Sequence, residues 1–468
     1  MKYISTRGIA PELDFDDVLI TGLARDGGLY VPKEWPKFSK NEIESMRELS
    51  YSDLSIQIMK PFIGDRISSD DFETLVRNTY DKFGHPAMAP LKQLENNLWL
   101  LELFHGPTLA FKDYAMQILG GLFDESLQRR KKRTTIVGAT SGDTGSAAIE
   151  ACRNKDAIDI FILFPKGRVS NIQQRQMTTV DASNVHAIAL EGTFDDCQDM
   201  VKSLFNDLEY RDKYNLSAVN SINWARLLPQ IIYYFSAALA LGAPDRKVSF
   251  SVPSGNFGNV FSAYAAKALG LPIENLVVAT NTNDILSRFF NSGKMEIKEV
   301  RPSLSPSMDI QVSSNFERLL FDLCERDGPL TSEIIENFRT NGYFDVETEV
   351  IDRRANIFSA LSVDDQTTLA RIKKTHMDTG EIIDPHSAVG LEAAHQIRSS
   401  GLVSPEIPII SLACAHPAKF PDAVHGATGL YPDLPVQLDD LLEKKEYTVE
   451  LPNDFDSVSN YIADNTNV

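Results

Sequence analysis

The sequence predicts an α/β protein whose main region is an open, mostly parallel sheet buried under helices on both faces. Two observations carry this. From about Leu98 onward, short apolar runs rich in β-branched residues alternate with stretches of helical length and pattern, as in consecutive βαβ units. The runs are near-continuously apolar rather than alternating, which is how strands read when both faces are covered. In such sheets ligands sit at the carboxyl ends of strands, so the loops after the strands are where chemistry belongs.

Taken in chain order, the first ninety residues carry short helical patterns at Asp16–Leu23, Lys40–Leu49, Asp53–Met59 and Ser69–Phe83, separated by turns such as Asp26-Gly27-Gly28. This reads as a small, mainly helical domain. The strand candidates that follow are Leu98–Phe104, Thr134–Val137, Ile158–Leu163, Val185–Leu190, Lys247–Val252, Leu276–Thr280 and Ile409–Leu412. Helix candidates between them are Lys112–Arg129, Gly145–Asn154, Asp195–Asp207, Trp224–Leu241 and Phe257–Leu269. Residues from about Asp284 to Thr379 interrupt the alternation with helical segments (Glu317–Glu325, Ser332–Arg339, Val363–Met377), an expected helical insertion. The acidic stretch after Tyr431 reads as a surface-packed C-terminal extension.

Composition narrows the function. The chain has 468 residues, 43% hydrophobic and 24% charged, so it is globular rather than disordered or fibrous. Its net charge of −19 repels nucleic acid and anionic membrane, and neither is expected as a partner. Cys152, Cys197, Cys324 and Cys414 lie far apart with no metal-ligand spacing, which fits a reducing compartment and no metal. The opening residues lack the apolar core of a signal peptide, and the longest apolar stretch, Ile231 to Ala243, falls short of the ~20 residues a membrane span needs. A cytoplasmic protein is expected.

Three Gly-rich loops follow strand candidates and open helix candidates: His105–Asp113, Gly138–Gly145 and Pro253–Asn259. Each presents backbone N–H groups at a helix N-terminus, a ready anion site. None fits a nucleotide fingerprint, so small anions such as phosphate or carboxylate are the expected ligands. Lys112 opens a helix whose apolar positions are Phe111, Ala115, Ile118, Leu119, Leu122, Phe123 and Leu127. The positive end of a helix disfavours an ammonium, which together with partial burial favours the neutral amine that attacks carbonyls. By itself, a lysine so placed is more often a solvated surface residue.

His-Gly-Pro-Thr-Leu-Ala-Phe-Lys-Asp, Gly-Ala-Thr-Ser-Gly-Asp-Thr-Gly and Ser-Gly-Asn-Phe-Gly-Asn, in this order, closely resemble the threonine synthase family. So do Tyr3-Ile4-Ser5-Thr6-Arg7-Gly8, Asp26-Gly27-Gly28-Leu29-Tyr30-Val31-Pro32 and Ala415-His416-Pro417-Ala418-Lys419-Phe420, so the resemblance runs from the first residues to about Val424. The family uses pyridoxal 5'-phosphate and belongs to the tryptophan-synthase-β fold group. The resemblance implies fold type II: two open, mostly parallel sheets flanked by helices, with an N-terminal mainly helical domain and a helical insertion. The expected domains are residues 1–95, a cofactor-binding region 96–430 (smaller subdomain about 120–225, insertion about 284–379), and an extension 431–468.

By the same resemblance Lys112 is the Schiff-base lysine, and Gly255, Asn256, Phe257, Gly258 and Asn259 grip the cofactor phosphate. Thr140, Ser141, Gly142 and Thr144 hold the substrate carboxylate, while Asp143 faces the cofactor ring. Many relatives outside the family have Asn at that position, where it touches the cofactor's 3′-oxygen; an Asp there either holds a proton or alters the ring's electronics. Asn220–Arg226 resembles the substrate-phosphate site, with Ser221 and Arg226 as contacts. Arginine suits a phosphate dianion because its planar fork of donors matches it; the other reading is an Asn/Ser cap with a surface arginine. Cys414 is a departure, since the family usually has Thr there, against the pyridine nitrogen, and a thiol is the weaker donor. The alternative for Cys414 is a small buried hydrophobe at a strand end.

Other candidates keep structural readings. The run Arg129–Arg133 is a solvated helix end in an acidic chain. His105 and His416 are candidate acid–base groups; for His105, beside a turn, a structural hydrogen-bonding role is the equal alternative, and His416 and Lys419 are otherwise supporting or phosphate-facing groups. The implied reaction converts O-phospho-L-homoserine and water to L-threonine and phosphate, in a monomer or homodimer. Competing possibilities are a phospholyase of the same fold that releases a 2-oxo acid, and a non-catalytic phosphometabolite-binding protein.

Overall fold

The computed structural model describes residues 1–218, 222–347, 350–351 and 356–468. The chain divides into two compact units. The larger contains Met1–Tyr80, His85–His105 and Ser221–Pro432; the smaller contains Asp81–Gly84, Gly106–Asn220 and Asp433–Val468.

The larger unit is built on a six-stranded sheet in the order Phe358–Ser362, Ile273–Thr280, Val248–Pro253, Ile409–Ala413, Leu98–Glu102, Leu91–Glu95. All pairs are parallel except the last, where Leu91–Glu95 runs antiparallel at the edge. Val248–Pro253 and Ile409–Ala413 are buried along their whole length, as expected of central strands covered on both faces. Helix Pro385–Ser399 rides close to them. Ser251 Oγ donates to Gly390 O at 2.6 Å, and a Cβ on Gly390 would lie 3.0 Å from Pro253 Cδ. The N-terminal residues contribute an antiparallel pair, Tyr3–Ser5 with Tyr30–Pro32, and helices at Phe15–Thr21, Lys40–Ser45, Tyr51–Ile63 and Ser69–Tyr80. Ser39 and Glu42 form a capping box that starts the second of these.

The smaller unit holds a five-stranded, fully parallel sheet in the order Val449–Leu451, Val185–Leu190, Ile158–Pro165, Thr134–Ala139, Leu216–Ser217. Val137, Phe161, Leu163, Ile188 and Leu190 form its core with Cys197 and Leu204 of helix Phe194–Asn206 and Val458 and Ile462 of helix Phe455–Asn465. Two open, mostly parallel sheets flanked by helices are therefore present, as expected. Every strand candidate from Leu98 onward is a strand, with ends shifted by a few residues.

The differences have physical causes. The predicted helix Trp224–Leu241 is two helices, Trp224–Leu227 and Gln230–Ala240, because Pro229 lacks an N–H and restricts its predecessor. Within residues 284–379 the sequence shows only helices, whereas the structure also has the pair Lys294–Glu296 and Tyr343–Asp345 and the sheet-edge strand Phe358–Ser362. Short, half-exposed strands lack the apolar run that reveals central ones. The last residues carry a strand, Val449–Leu451, parallel to Val185–Leu190, and a helix in the core of the smaller unit. Among the described residues no helix is long and apolar enough to cross a membrane.

Candidate active site

In the smaller unit, Lys112 is the first residue of helix Lys112–Arg129 and is only 8% exposed. Nearly every position of this helix is buried, so it packs all round rather than along one stripe. Gly120 permits this, because a Cβ there would lie 2.4 Å from Ala151 O of the neighbouring helix Asp143–Cys152. The turn before Lys112 is fixed by Asp113, whose carboxylate accepts from Thr108 N at 2.8 Å and Thr108 Oγ1 at 2.6 Å. A Cβ on Gly106 would lie 2.4 Å from Asp113 Cβ, so only glycine fits that turn.

Lys112 Nζ stands 3.3 Å from Asp143 Oδ2, with both side chains buried. The loop carrying Asp143 is folded around Thr140 Oγ1, which accepts from Gly142 N at 3.0 Å and Gly145 N at 2.9 Å. Gly142 has φ +139° and is required there; a Cβ would lie 2.5 Å from Gln173 Cδ. Thr140 is thus occupied with its own loop, while Ser141 is exposed and Thr144 half-buried. The second oxygen of Asp143 accepts from Gln173 Nε2 at 2.8 Å.

In the larger unit, the loop after Val248–Pro253 turns into helix Gly258–Ala268 through Phe257, which has φ +59°. The Phe257 ring lies among Phe290, Phe316 and Phe358, so this residue can offer a ligand only its backbone. Two carbonyls of the loop are drawn to one side: Gly255 O accepts from Ser313 Oγ at 2.7 Å, and Asn256 O from Asn315 N and Nδ2, both at 3.1 Å. The first N–H groups of the helix have no intrahelical acceptor and remain for an anion. Asn259 Oδ1 accepts from Tyr233 Oη and Tyr234 Oη, each at 2.6 Å, while its Nδ2 is buried with no partner among the described residues.

Arg226 is buried, and its Nη1 has no hydrogen-bond partner among the described residues. Desolvation pushes the guanidinium down to about 10, still charged at neutral pH. Asn223 starts its short helix by accepting from Ala225 N at 3.0 Å and ties it to Leu19 O at 2.8 Å. Ser221 lies outside the described residues. Cys414 follows strand Ile409–Ala413 and is buried; its N–H donates to Ser387 Oγ at 3.1 Å. His105 bonds Glu102 Oε2 at 2.7 Å, a structural pairing. His416 caps the 3₁₀ turn Pro417–Lys419 by accepting from Ala418 N, and burial pushes it down to about 4, so it is neutral at physiological pH. Lys419 is fully buried.

Sequence reasoning missed Gln173, Tyr233 and Tyr234, and Ser313 with Asn315. The adjacent tyrosines inside an otherwise apolar helix were a usable signal, because buried hydroxyls need acceptors. Gln173 gave none, since its meaning depends on a loop 30 residues away.

Each unit, taken by itself, offers part of what pyridoxal phosphate needs. The smaller unit has a sheltered primary amine, Lys112. The larger unit has the N–H donors of the Pro253–Asn259 turn, the Asn259 Nδ2 that lacks a partner among the described residues, and a buried guanidinium, Arg226, whose Nη1 likewise has none among them.

Three family profiles match the chain: threonine synthase N terminus over residues 2–80, pyridoxal-phosphate dependent enzyme over 84–415, and threonine synthase, C-terminal, over 387–462. Threonine synthase of Pseudomonas aeruginosa is 51% identical, covering 100% of this chain and 99% of its own length. A pyridoxal-phosphate-bound threonine synthase structure from Brucella melitensis is 51% identical, covers 100% of both chains and superposes with a TM-score of 0.97. The threonine synthase structure from yeast is 41% identical, with a TM-score of 0.94 over 99% of this chain and 98% of its own.

Proposed function

The chain belongs to the threonine synthase family, a pyridoxal-phosphate-dependent enzyme, and from that premise we propose that it converts O-phospho-L-homoserine and water to L-threonine and phosphate. The observation that carries the substrate is Arg226, a buried guanidinium whose Nη1 has no hydrogen-bond partner among the described residues. Such a cation is costly unless an anion completes it. The family resemblance gives the Gly255–Asn259 turn to the cofactor phosphate, and we assign Arg226 to the phosphate of the substrate.

When bound, the cofactor supplies a conjugated electron sink for charge developing on the substrate. The remaining work falls to side chains. Lys112 would be the covalent attachment point of the cofactor; its Nζ would take one proton from substrate Cα and one from Cβ, and would return one to Cγ after phosphate has left and one to Cα after water has added at Cβ. Asp143 holds that amine by its carboxylate. Arg226, together with Ser221, binds the substrate phosphate and keeps it as it leaves Cγ, and the retained phosphate takes the proton of the water that adds at Cβ. Thr140, Ser141, Gly142 and Thr144 form the carboxylate-binding turn, in which Ser141 is the exposed hydroxyl free to reach a ligand. Cys414, in place of the family's Thr, would be the group offered to the cofactor's ring nitrogen. We place the reaction in the cytoplasm, in a monomer or homodimer.

Incubating the holoenzyme with O-phospho-L-homoserine and identifying the products tests the proposal. L-Threonine with one equivalent of phosphate is expected; 2-oxobutyrate as the main product would overturn it.

A further inference from the structure

We propose that Gln173 is a positioning residue for the reacting amine: it aims the Asp143 carboxylate at Lys112 and fixes the charge that the amine meets. The inference rests on the proposed role of Lys112 and deepens it.

Three contacts converge on this side chain and a fourth on its backbone. Gln173 Nε2 donates to Asp143 Oδ1 at 2.8 Å, leaving Oδ2 for Lys112 Nζ at 3.3 Å. Gln173 Oε1 accepts from Ser170 Oγ at 3.0 Å. The contact with Asp143 settles the orientation of the amide, since the opposite flip would set an oxygen against the carboxylate. Ser170 also caps helix Asn171–Thr178 by accepting from Gln173 N at 3.3 Å, so the helix start and the amide are fixed by one hydroxyl. Finally, the amide fills the space that a side chain at Gly142 would occupy, so it packs directly on the turn carrying Asp143.

The consequence is electrostatic. A neutral donor on Oδ1 favours ionised Asp143 and adds no charge of its own, so the carboxylate meets Lys112 in a fixed place. The other charged groups on the packed helices are engaged elsewhere. Asp113 is bound by Thr108, Asp124 by Gln128, Glu125 by Arg129, Glu150 by Arg153 and Arg175 by Glu446. Lys112 forms an ion pair with Asp143.

Two variants of similar size separate this role from simple packing. In full-length protein stripped of cofactor, the pH midpoint of Lys112 acylation, read by peptide mass spectrometry, reports the amine directly. Gln173→Met removes the donor and should lower the midpoint, because Asp143 is held less firmly and less readily ionised. Gln173→Glu adds a second carboxylate and should raise it by about one pH unit, a tenfold change in proton affinity. In the holoenzyme both variants should lose kcat about tenfold or more while the KM for O-phospho-L-homoserine stays within about threefold, since the phosphate contacts are untouched. Midpoints that stay at the wild-type value, or move in the same direction in both variants, would overturn the proposal. Because the acylation midpoint needs no substrate, it remains decisive even if the wild-type product proves not to be threonine.

Discussion

Tyr233 Oη lies 2.6 Å from Asn259 Oδ1, and the adjacent Tyr234 hydroxyl is equally close to the same oxygen. Two donors on one carbonyl fix the amide's orientation, so the orphaned Nδ2 can only be the donor offered to a ligand. Both tyrosines come from helix Gln230–Ala240, which is itself chained to Arg226, because Gln230 Nε2 donates to Arg226 O at 2.8 Å. Asn259 and Arg226, the residues proposed for the cofactor phosphate and the substrate phosphate, thus hang on one buried polar network in the larger unit.

Removing both hydroxyls with Tyr233→Phe/Tyr234→Phe leaves Asn259 Oδ1 buried without these donors and frees the amide to turn. At about 1 kcal/mol for each hydrogen bond, cofactor affinity should fall about tenfold or more. Spectroscopic titration of the cofactor-free variant measures it, and an unchanged dissociation constant would mean Asn259 does not touch the cofactor.

Arg226 couples function and stability in opposite senses. Replacing it with Met removes a buried charge without a hydrogen-bond partner at Nη1 and should stabilise the ligand-free protein by about 1–3 kcal/mol. The same variant should raise KM for O-phospho-L-homoserine by about a hundredfold, with cofactor affinity within about threefold, since a charged hydrogen bond to phosphate is lost. Thermal unfolding and steady-state kinetics on one preparation read both effects. A parallel loss of cofactor binding would contradict the assignment of Arg226 to the substrate phosphate.

Acid should destabilise the protein partly through His416. The unfolded chain takes up this proton below about pH 6.5 and the folded one only below about pH 4, so stability falls as the pH drops through that window. The loss amounts to about 3 kcal/mol by the lower end. His416→Asn keeps a side-chain acceptor for Ala418 N while removing the titration, and should flatten the dependence of unfolding free energy on pH between these limits. A variant whose stability still falls as steeply as the wild type's would show that other groups carry the acid sensitivity.

The sequence made the strands of both sheets and the loops that follow them legible, because buried parallel strands are continuous apolar runs and glycines mark the turns into helices. Helix Pro385–Ser399 went unseen because it is buried on nearly all sides and shows no stripe, and strand Leu91–Glu95 because Leu-Lys-Gln-Leu-Glu, at a half-exposed edge, shows neither an apolar run nor strict alternation. Lys112 was legible only through its family motif; as a lone lysine it reads as a surface residue, and only its burial against Asp143 distinguishes it. Gln173 lay beyond sequence reasoning altogether. Its partner stands at the end of a different strand-to-helix turn, and nothing in the helix from Asn171 to Thr178 signals which way the amide points.

The most direct test of the account is the site of cofactor attachment. Reducing the holoenzyme with borohydride, digesting it and sequencing the labelled peptide by mass spectrometry should find the pyridoxyl group on Lys112, and Lys112→Ala should abolish the label, the visible absorption and turnover together. A label on any other lysine, or none, would contradict the account.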